Sequence, residues 1–374
     1  MNKTPYIPEN FPPKNINWEQ LAPLIGKANR AIAKYDGFLQ TIPNPDLLLA
    51  PLLTNEAVYS SRIEGTQASL EDVFKREAGV ISPEQSENYK NDIQEVINYR
   101  DALLYASKEL ELNHREITPG LIKEIHVILL SGTRGSKRLL GEFRRTQNWI
   151  GRLGTPMEQA RFIPPDPILI PVELEKLNRF IHQDYRDTLV QLAIFHAQFE
   201  IIHPFEDGNG RVGRILIPLF LFWKDILTRP NFYLSEYLER NRAEYYGRLL
   251  LITEEDDWQG WIEFFLNAIT ELSKVNIERF KKMLELYEKS KSKFLEATQS
   301  RYAIPALDAF FRRPIINAAE FIKMVHAPRR TGFWLLEKLV DAKIVKLHKE
   351  SRGRSPAVYV FCELLNVMLG KKIC

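Results

Sequence analysis

The residues whose types and spacing suit chemistry lie in one stretch, His203-Pro204-Phe205-Glu206-Asp207-Gly208-Asn209-Gly210-Arg211-Val212-Gly213-Arg214. Gly208 and Gly210 permit backbone angles that other residues resist, so the N–H groups of Gly208, Asn209 and Gly210 can form a nest. A nest opening onto a helix N-terminus attracts anions, because unpaired donors and the helix dipole both favour negative charge. Arg211 and Arg214 stand three apart and share a helix face. Two guanidiniums beside a nest suit a polyphosphate, whose paired oxygens match their forked donors. Asp207, at the loop rim, can hold Mg²⁺, an ion that takes one carboxylate together with substrate phosphates. His203 is placed as a general base near neutral pH. Together these residues suit nucleotidyl or phosphoryl transfer to a hydroxyl. Singly each is ordinary: a helix-end histidine caps, GNGR turns, paired arginines face solvent. Their conjunction within twelve positions points to chemistry.

Two elements must position these groups. Leu189 to Ile202 reads LVQLAIFHAQFEII, an apolar-rich run with helical spacing, and Ile215 to Trp223 is a second apolar run. Pro204 closes the first. The motif is therefore predicted to be a polar loop between two buried helices, on a rigid scaffold. His196, Glu200 and His203 give H-x-x-x-E-x-x-H, which is not the H-E-x-x-H zinc spacing. His196 and Glu200 are predicted to be core or supporting groups rather than metal ligands.

From His203 to Arg214 the chain resembles, without departure, the complete signature of the Fic (Fido) family, H-x-F-x-[DE]-G-N-G-R-x-x-R. The resemblance extends over most of residues 40–270 and implies a helical-bundle core that transfers AMP from ATP to a protein hydroxyl. It implies that His203 deprotonates the target, that Asp207 binds Mg²⁺, and that Gly208, Asn209, Gly210, Arg211 and Arg214 hold the phosphates. Related toxins that phosphorylate their targets replace the glycines of this loop; this chain keeps both. A second stretch, Ser60-Ser61-Arg62-Ile63-Glu64-Gly65, reads on its residues alone as a helix C-terminus with Gly65 left-handed. It also resembles the family's inhibitory motif, [ST]-x-x-x-E-[GN], through Ser60, Glu64 and Gly65. That likeness implies that Glu64 pairs with Arg214, where a phosphate oxygen would otherwise sit. Of the tyrosines after Arg242, Tyr246 is the one that the resemblance implies for the adenine side of the pocket. Gly141–Gly151 and Arg161–Pro165 read as two short β-like stretches of a hairpin. The resemblance implies a flap at 143–165 that docks a target protein's backbone by strand addition.

Around this centre, 374 residues predict two or three domains. The fold class expected is mainly α: a Fic-type helical bundle with a β-hairpin flap, followed by a winged helix-turn-helix. The boundaries are read as an N-terminal helical region over 1–110, a catalytic core with following helices over 111–300, and a winged-helix domain over 301–374. Helices are expected at Asn17–Phe38 (one or two), from Asn55 with a break near Gly65, at Ser86–Leu110 and at Thr118–Leu130. In the last of these Thr118 caps and Pro119 takes the first helical position.

The C-terminal segment reads helix (305–311), helix (Asn317–Val325), helix (Arg329–Leu339), then two β-rich stretches at 344–348 and 357–361. Arg329 and Arg330 begin the third helix, Arg352 and Arg354 lie in the wing, and Phe333 to Leu336 are expected to pack mostly inward. Residues 301–374 carry 14 Lys/Arg against 6 Asp/Glu, a surplus of eight. A whole-chain charge of +3 then leaves −5 for the first 300 residues. A basic C-terminal domain suits DNA or an acidic protein partner, and such domains also dimerise.

Cys362 and Cys374, the two cysteines, build neither a disulfide framework nor a metal quartet, which predicts a reducing cytoplasm. No apolar signal core or membrane span is read. The expectation is an adenylyltransferase using ATP and Mg²⁺, restrained by Glu64. Its rivals are an enzyme that removes AMP from a modified protein, and a DNA-binding regulator whose core senses nucleotide.

Overall fold

The computed structural model describes residues 4–8, 11–80, 86–133, 139–151, 154, 156–351, 356–370 and 372. The chain divides into two compact units, each gathered from separate segments. Residues 1–36, 59–66 and 97–273 form the first, and 37–58, 67–96 and 274–374 form the second. The N-terminal helices are α1 (Trp18–Gln40), α2 (Pro45–Ile63), α3 (Leu70–Glu77), α4 (Glu87–Glu111) and α5 (Pro119–Leu130). α1 is a single helix. α2 starts at Pro45, well before the expected Asn55, because proline loses no hydrogen bond in a first turn whose N–H groups lack helical partners anyway. The expected start of α5 is present: Thr118 Oγ1 accepts from Leu121 N at 3.3 Å, with Pro119 next.

The remaining helices are α6 (Ile170–His182), α7 (Thr188–Ile202), α8 (Asn209–Trp223), α9 (Ser235–Arg240), α10 (Arg242–Glu255) and α11 (Trp258–Thr298). α7 is buried on every face, from Leu189 to Phe199 and at Ile201 and Ile202, and α8 is nearly so. A helix apolar all round must be wrapped by others. Within the first unit α6 and α8 pack on α7, α5 packs on α8, and α10 closes on α7. Trp261 of α11, fully buried, donates its indole N–H to Ala193 O at 2.7 Å. The start of α7 is pinned by Asp187, which accepts from Val190 N at 2.9 Å and from Asn29 Nδ2 at 2.8 Å.

Among the described residues the expected hairpin flap shows one antiparallel bridge, between Ile150 and Phe162. Ile150 N donates to Phe162 O at 2.8 Å, and Arg161 N to Ile150 O at 2.7 Å. Pro156, Pro164 and Pro165 carry no N–H to extend a ladder, and a 3₁₀ turn at Met157–Gln159 occupies the connection.

In the second unit, α12 (Ala303–Arg312), α13 (Ala318–Val325), α14 (Arg329–Asp341) and α15 (Cys362–Leu369) accompany three strands. β1 (Ile315–Asn317), β2 (Lys346–Lys349) and β3 (Val358–Val360) pair antiparallel in the order β1-β3-β2. β1 and α15 were not expected, and Asn317 ends the strand and caps α13 through Glu320 N at 2.9 Å. Phe294, Phe310, Phe321 and Phe361 fill this core. Gly332 lets α14 approach α13, since a Cβ there would collide with Ile322 Cγ1. Leu335 and Leu336 point inward as expected, but Phe333 and Trp334 are exposed. Four residues on a helix cannot all share one face. Arg352, Arg354 and Cys374 lie outside the described residues. No helix among the described residues is long and apolar enough to cross a membrane.

Removing the cap of α7 by Asp187→Ala is expected to lower stability by about 1 kcal/mol or somewhat more, as for other N-caps. Urea unfolding followed by the fluorescence of the tryptophans checks it; an unshifted midpoint would show that α7 is held by packing alone.

Candidate functional site

The signature loop leaves α7 through His203, which adopts a left-handed backbone at φ 50 and ψ 59. Gly208, at φ 80, turns the chain back into α8. Gly210 is needed for a different reason from the expected one. It lies inside α8, where a Cβ would collide with Glu64 Oε1 and stand 2.9 Å from Arg214 Nη1. Asn209 is 1% exposed and braces the loop: its Oδ1 accepts from Phe205 N and its Nδ2 donates to Phe205 O, each at 2.8 Å. Gly208 N donates to Asp207 Oδ1 at 2.7 Å, so this member of the expected nest is engaged by the loop's own carboxylate. Arg211 Nη2 reaches the same oxygen at 3.4 Å.

Two further side chains hold the loop, neither singled out by the sequence. His126 of α5 stacks on Phe205, with ring centres 3.9 Å apart and planes at 6°. Its Nδ1 accepts from Gly141 N at 3.0 Å, which leaves Nε2–H to donate to Asp207 O at 3.1 Å. Burial pushes this ring down to about 4, so it stays neutral in that one tautomer. Arg144 is 2% exposed. Its Nε donates to His203 O at 2.9 Å, and its other nitrogens reach Thr146 O, Pro165 O and Ile202 O. A guanidinium at the carbonyl end of α7 satisfies orphan acceptors and opposes the helix dipole. Burial lowers Arg144 to about 10, still charged at neutral pH.

Of the predicted site residues, His203, Asp207, Gly210, Arg214, Tyr246 and Glu64 line one cavity of about 1180 Å³. Gly208, Asn209, Arg211, Ser60 and Gly65 are not among the residues that line it. Arg214 is 1% exposed, and three acceptors from the end of α2 meet it. Its Nε donates to Ser60 Oγ at 2.8 Å, and its Nη2 to Ser60 O at 3.0 Å and to Glu64 Oε1 at 2.6 Å. Burial opposes ionisation of Glu64, but the charge and hydrogen bond of Arg214, with Arg211 and His203, hold it below the usual carboxylate range. The helix-end reading of this segment also stands. Gly65 is at φ 103, and Thr66 N donates back to Ser61 O at 3.2 Å.

His203 Nδ1 lies 3.3 Å from Glu200 O, an atom that can only accept, so Nδ1 carries the proton and Nε2 the free lone pair. Burial pushes the ring down to about 4, the Glu200 carbonyl opposing and Arg144 adding to it. The imidazole is thus a neutral base at physiological pH. His196 is not a ligand. Its Nδ1–H donates to Gly213 O at 3.2 Å, and its Nε2 accepts from Tyr245 O–H at 3.0 Å. The tyrosine pair divides: Tyr245 is buried on His196, while Tyr246 faces the cavity between Arg161 and Arg242, 5.9 and 5.8 Å from its ring centre. Asp207, 38% exposed at the cavity wall, offers a carboxylate of the kind Mg²⁺ combines with phosphate and water. Among the described residues no cluster of three or more His, Cys, Asp or Glu could hold a metal unaided.

A family model described as Fic/DOC family matches residues 116–221, and one described as Fic/DOC family N-terminal matches 22–108. Together they span just over half of the chain. A probable protein adenylyltransferase of Aquifex aeolicus is 25% identical over 198 residues, 50% of this chain and 59% of that protein. Protein adenylyltransferase fic-1 of Caenorhabditis elegans is 28% identical over 227 residues, 59% of this chain and 40% of that protein. The chain thus spans 40–59% of the length of these two relatives. A crystal structure of a Fic family protein from Desulfovibrio desulfuricans G20 superposes with a TM-score of 0.58 at 19% identity. It covers 93% of this chain and 98% of that one, a likeness of fold.

Ring ¹H–¹⁵N titration of His203, identified by loss of its signals in His203→Gln, is expected to show a midpoint near 4. Removing the Arg144 charge by Arg144→Met should move that midpoint upward. An ordinary histidine midpoint in the unaltered chain would show that the ring is open to water.

Proposed function

As the chain belongs to the Fic/DOC family, we propose that it transfers AMP from ATP to a hydroxyl side chain of a target protein, and that Glu64 restrains the reaction. His203 Nε2 takes the proton of the target Ser, Thr or Tyr as its oxygen attacks the α-phosphate in line. A P–O bond to the target forms, the bond to pyrophosphate breaks, and pyrophosphate leaves. Arg214 and the N–H groups at the start of α8 hold the phosphates against their charge. Asp207 would hold Mg²⁺, which when bound offsets charge on the departing pyrophosphate. Trp149 and the Ile150–Phe162 bridge present an edge on which the target's backbone can lie. Tyr246 and the apolar wall formed by Leu249 and Leu250 suit the adenine.

The observation that carries this reading is the shared cavity. A neutral base, the Asp207 carboxylate and a buried guanidinium open onto one space, and the guanidinium is already taken by a second carboxylate, that of Glu64. Glu64 sits where a phosphate oxygen would be hydrogen-bonded, so ATP and Glu64 compete for Arg214. Residues 301–374 are read as a winged-helix module, with Arg329 and Arg330 at the start of α14, beside the exposed Phe333 and Trp334, offered to a DNA or protein partner.

Transfer of label from α-³²P-ATP with Mg²⁺ tests the proposal. The unaltered chain is expected to label weakly, Glu64→Gly at least tenfold more, and Glu64→Gly with His203→Ala not at all. Absence of labelling in every form, on the chain itself and in lysate, would remove the transferase reading.

A further inference from the structure

Glu200 is a carboxyl without a task in that mechanism. It stands on α7 three residues before His203 and lines the same cavity. Its Oε1 is buried and, among the described residues, has no hydrogen-bond partner. The space it fills is opened by the other half of the motif. A Cβ on Gly213 would collide with Glu200 Oε1 and stand 3.2 Å from Phe199 Cδ1. So α8 lacks a side chain where α7 inserts an acid. A buried polar atom left unpaired costs stability. A site that retains one has use for it when a ligand supplies the partner.

We infer that Glu200, as the neutral acid, donates a hydrogen bond to a phosphate oxygen that Arg214 holds once Glu64 has left. This rests on the nucleotide reading above. The groups facing Glu200 are Arg214 on α8, Glu64 just after α2, and Tyr245 and Tyr246 on α10, with His196 on its own helix and His203 capping that helix. Burial pushes Glu200 up to about 8, Arg214 opposing and Glu64 adding to it. At neutral pH the acid therefore keeps its proton and can donate. Above that range it ionises and repels the phosphate instead. A triphosphate in place of Glu64 brings more negative charge, so nucleotide binding and the proton on Glu200 favour each other. The neighbours do not blur this window. Glu64 is held low, His203 lies near 4 and His196 near 3. Tyr246 lies near 12, Tyr245 is held well above the usual phenol range by burial, and Arg214 is raised by its acidic neighbours.

The test is calorimetry of ATP binding to the full chain without Mg²⁺, so that Asp207 takes no part as a metal ligand. Glu64→Gly is compared with Glu64→Gly/Glu200→Gln and Glu64→Gly/Glu200→Ala, in two buffers of different ionisation enthalpy. For Glu64→Gly, affinity should fall by up to about tenfold per pH unit once the pH passes the Glu200 midpoint, which loss of the Glu64 charge brings below that of the unaltered chain, with uptake of part of a proton on binding. Glu200→Gln keeps a donor, so affinity near pH 7 should be held while the pH slope and proton uptake vanish. Glu200→Ala should also be flat but several-fold weaker near pH 7. The same slope with and without Glu200→Gln would overturn the inference and leave the nucleotide reading standing. No ATP binding by any variant at any pH would overturn both.

Discussion

A guanidinium cannot shed its proton on entering a protein interior, so a buried arginine obliges its surroundings to supply acceptors. Arg214 is such a residue, and the acceptors nearest to it come from Ser60 and Glu64, up to 154 positions earlier in the chain. Much of the site follows from that obligation. Gly210 is bare because Glu64 and Arg214 need its space, and Gly213 is bare because Glu200 needs it. His196 fixes the Gly213 carbonyl, and Tyr245 fixes His196. If Glu64 withdraws, Ser60 still offers two acceptors, and the remaining donor seeks an anion.

The loop between α7 and α8 is stiff for a complementary reason. Its polar groups are largely turned on one another: Asn209 on both backbone atoms of Phe205, Gly208 N on Asp207, His126 on the Asp207 carbonyl. A left-handed non-glycine residue such as His203 costs of order 1–2 kcal/mol, and persists only where its surroundings over-determine it. Arg144 on its carbonyl, Pro204 after it and the buried α7 before it do so. The His203 backbone is fixed by the fold itself.

What was legible in the sequence was what local spacing controls. Apolar periodicity located α7 and α8, Thr118-Pro119 marked the start of α5, and Gly65 and Gly208 announced left-handed turns. What was not legible depends on partners far away in the chain. His126 is one of three polar residues, with Lys123 and Glu124, in a mostly apolar helix, and nothing near it says that Asp207 and Gly141 are its partners. Arg144 sits in a stretch that reads as a hairpin, where a buried arginine has no local signature. Gly210 looks like a turn glycine until Glu64 is brought beside it. β1, three residues long, is a strand only because β3 is there to pair with it. A rule that a buried, helix-ending carbonyl run needs a cation would have been a reason to search for Arg144.

Arg144 has one further consequence. Its side chain joins the segment around Thr146 and Pro165 to the last carbonyls of α7, and its own N–H is bonded to Pro204 O. That wall of the cavity cannot swing outward as a lid without pulling on the His203 carbonyl. It behaves as the fixed jaw of a vice. The facing jaw is the turn at the end of α2, held across the cavity by the grip of Glu64 and Ser60 on one arginine.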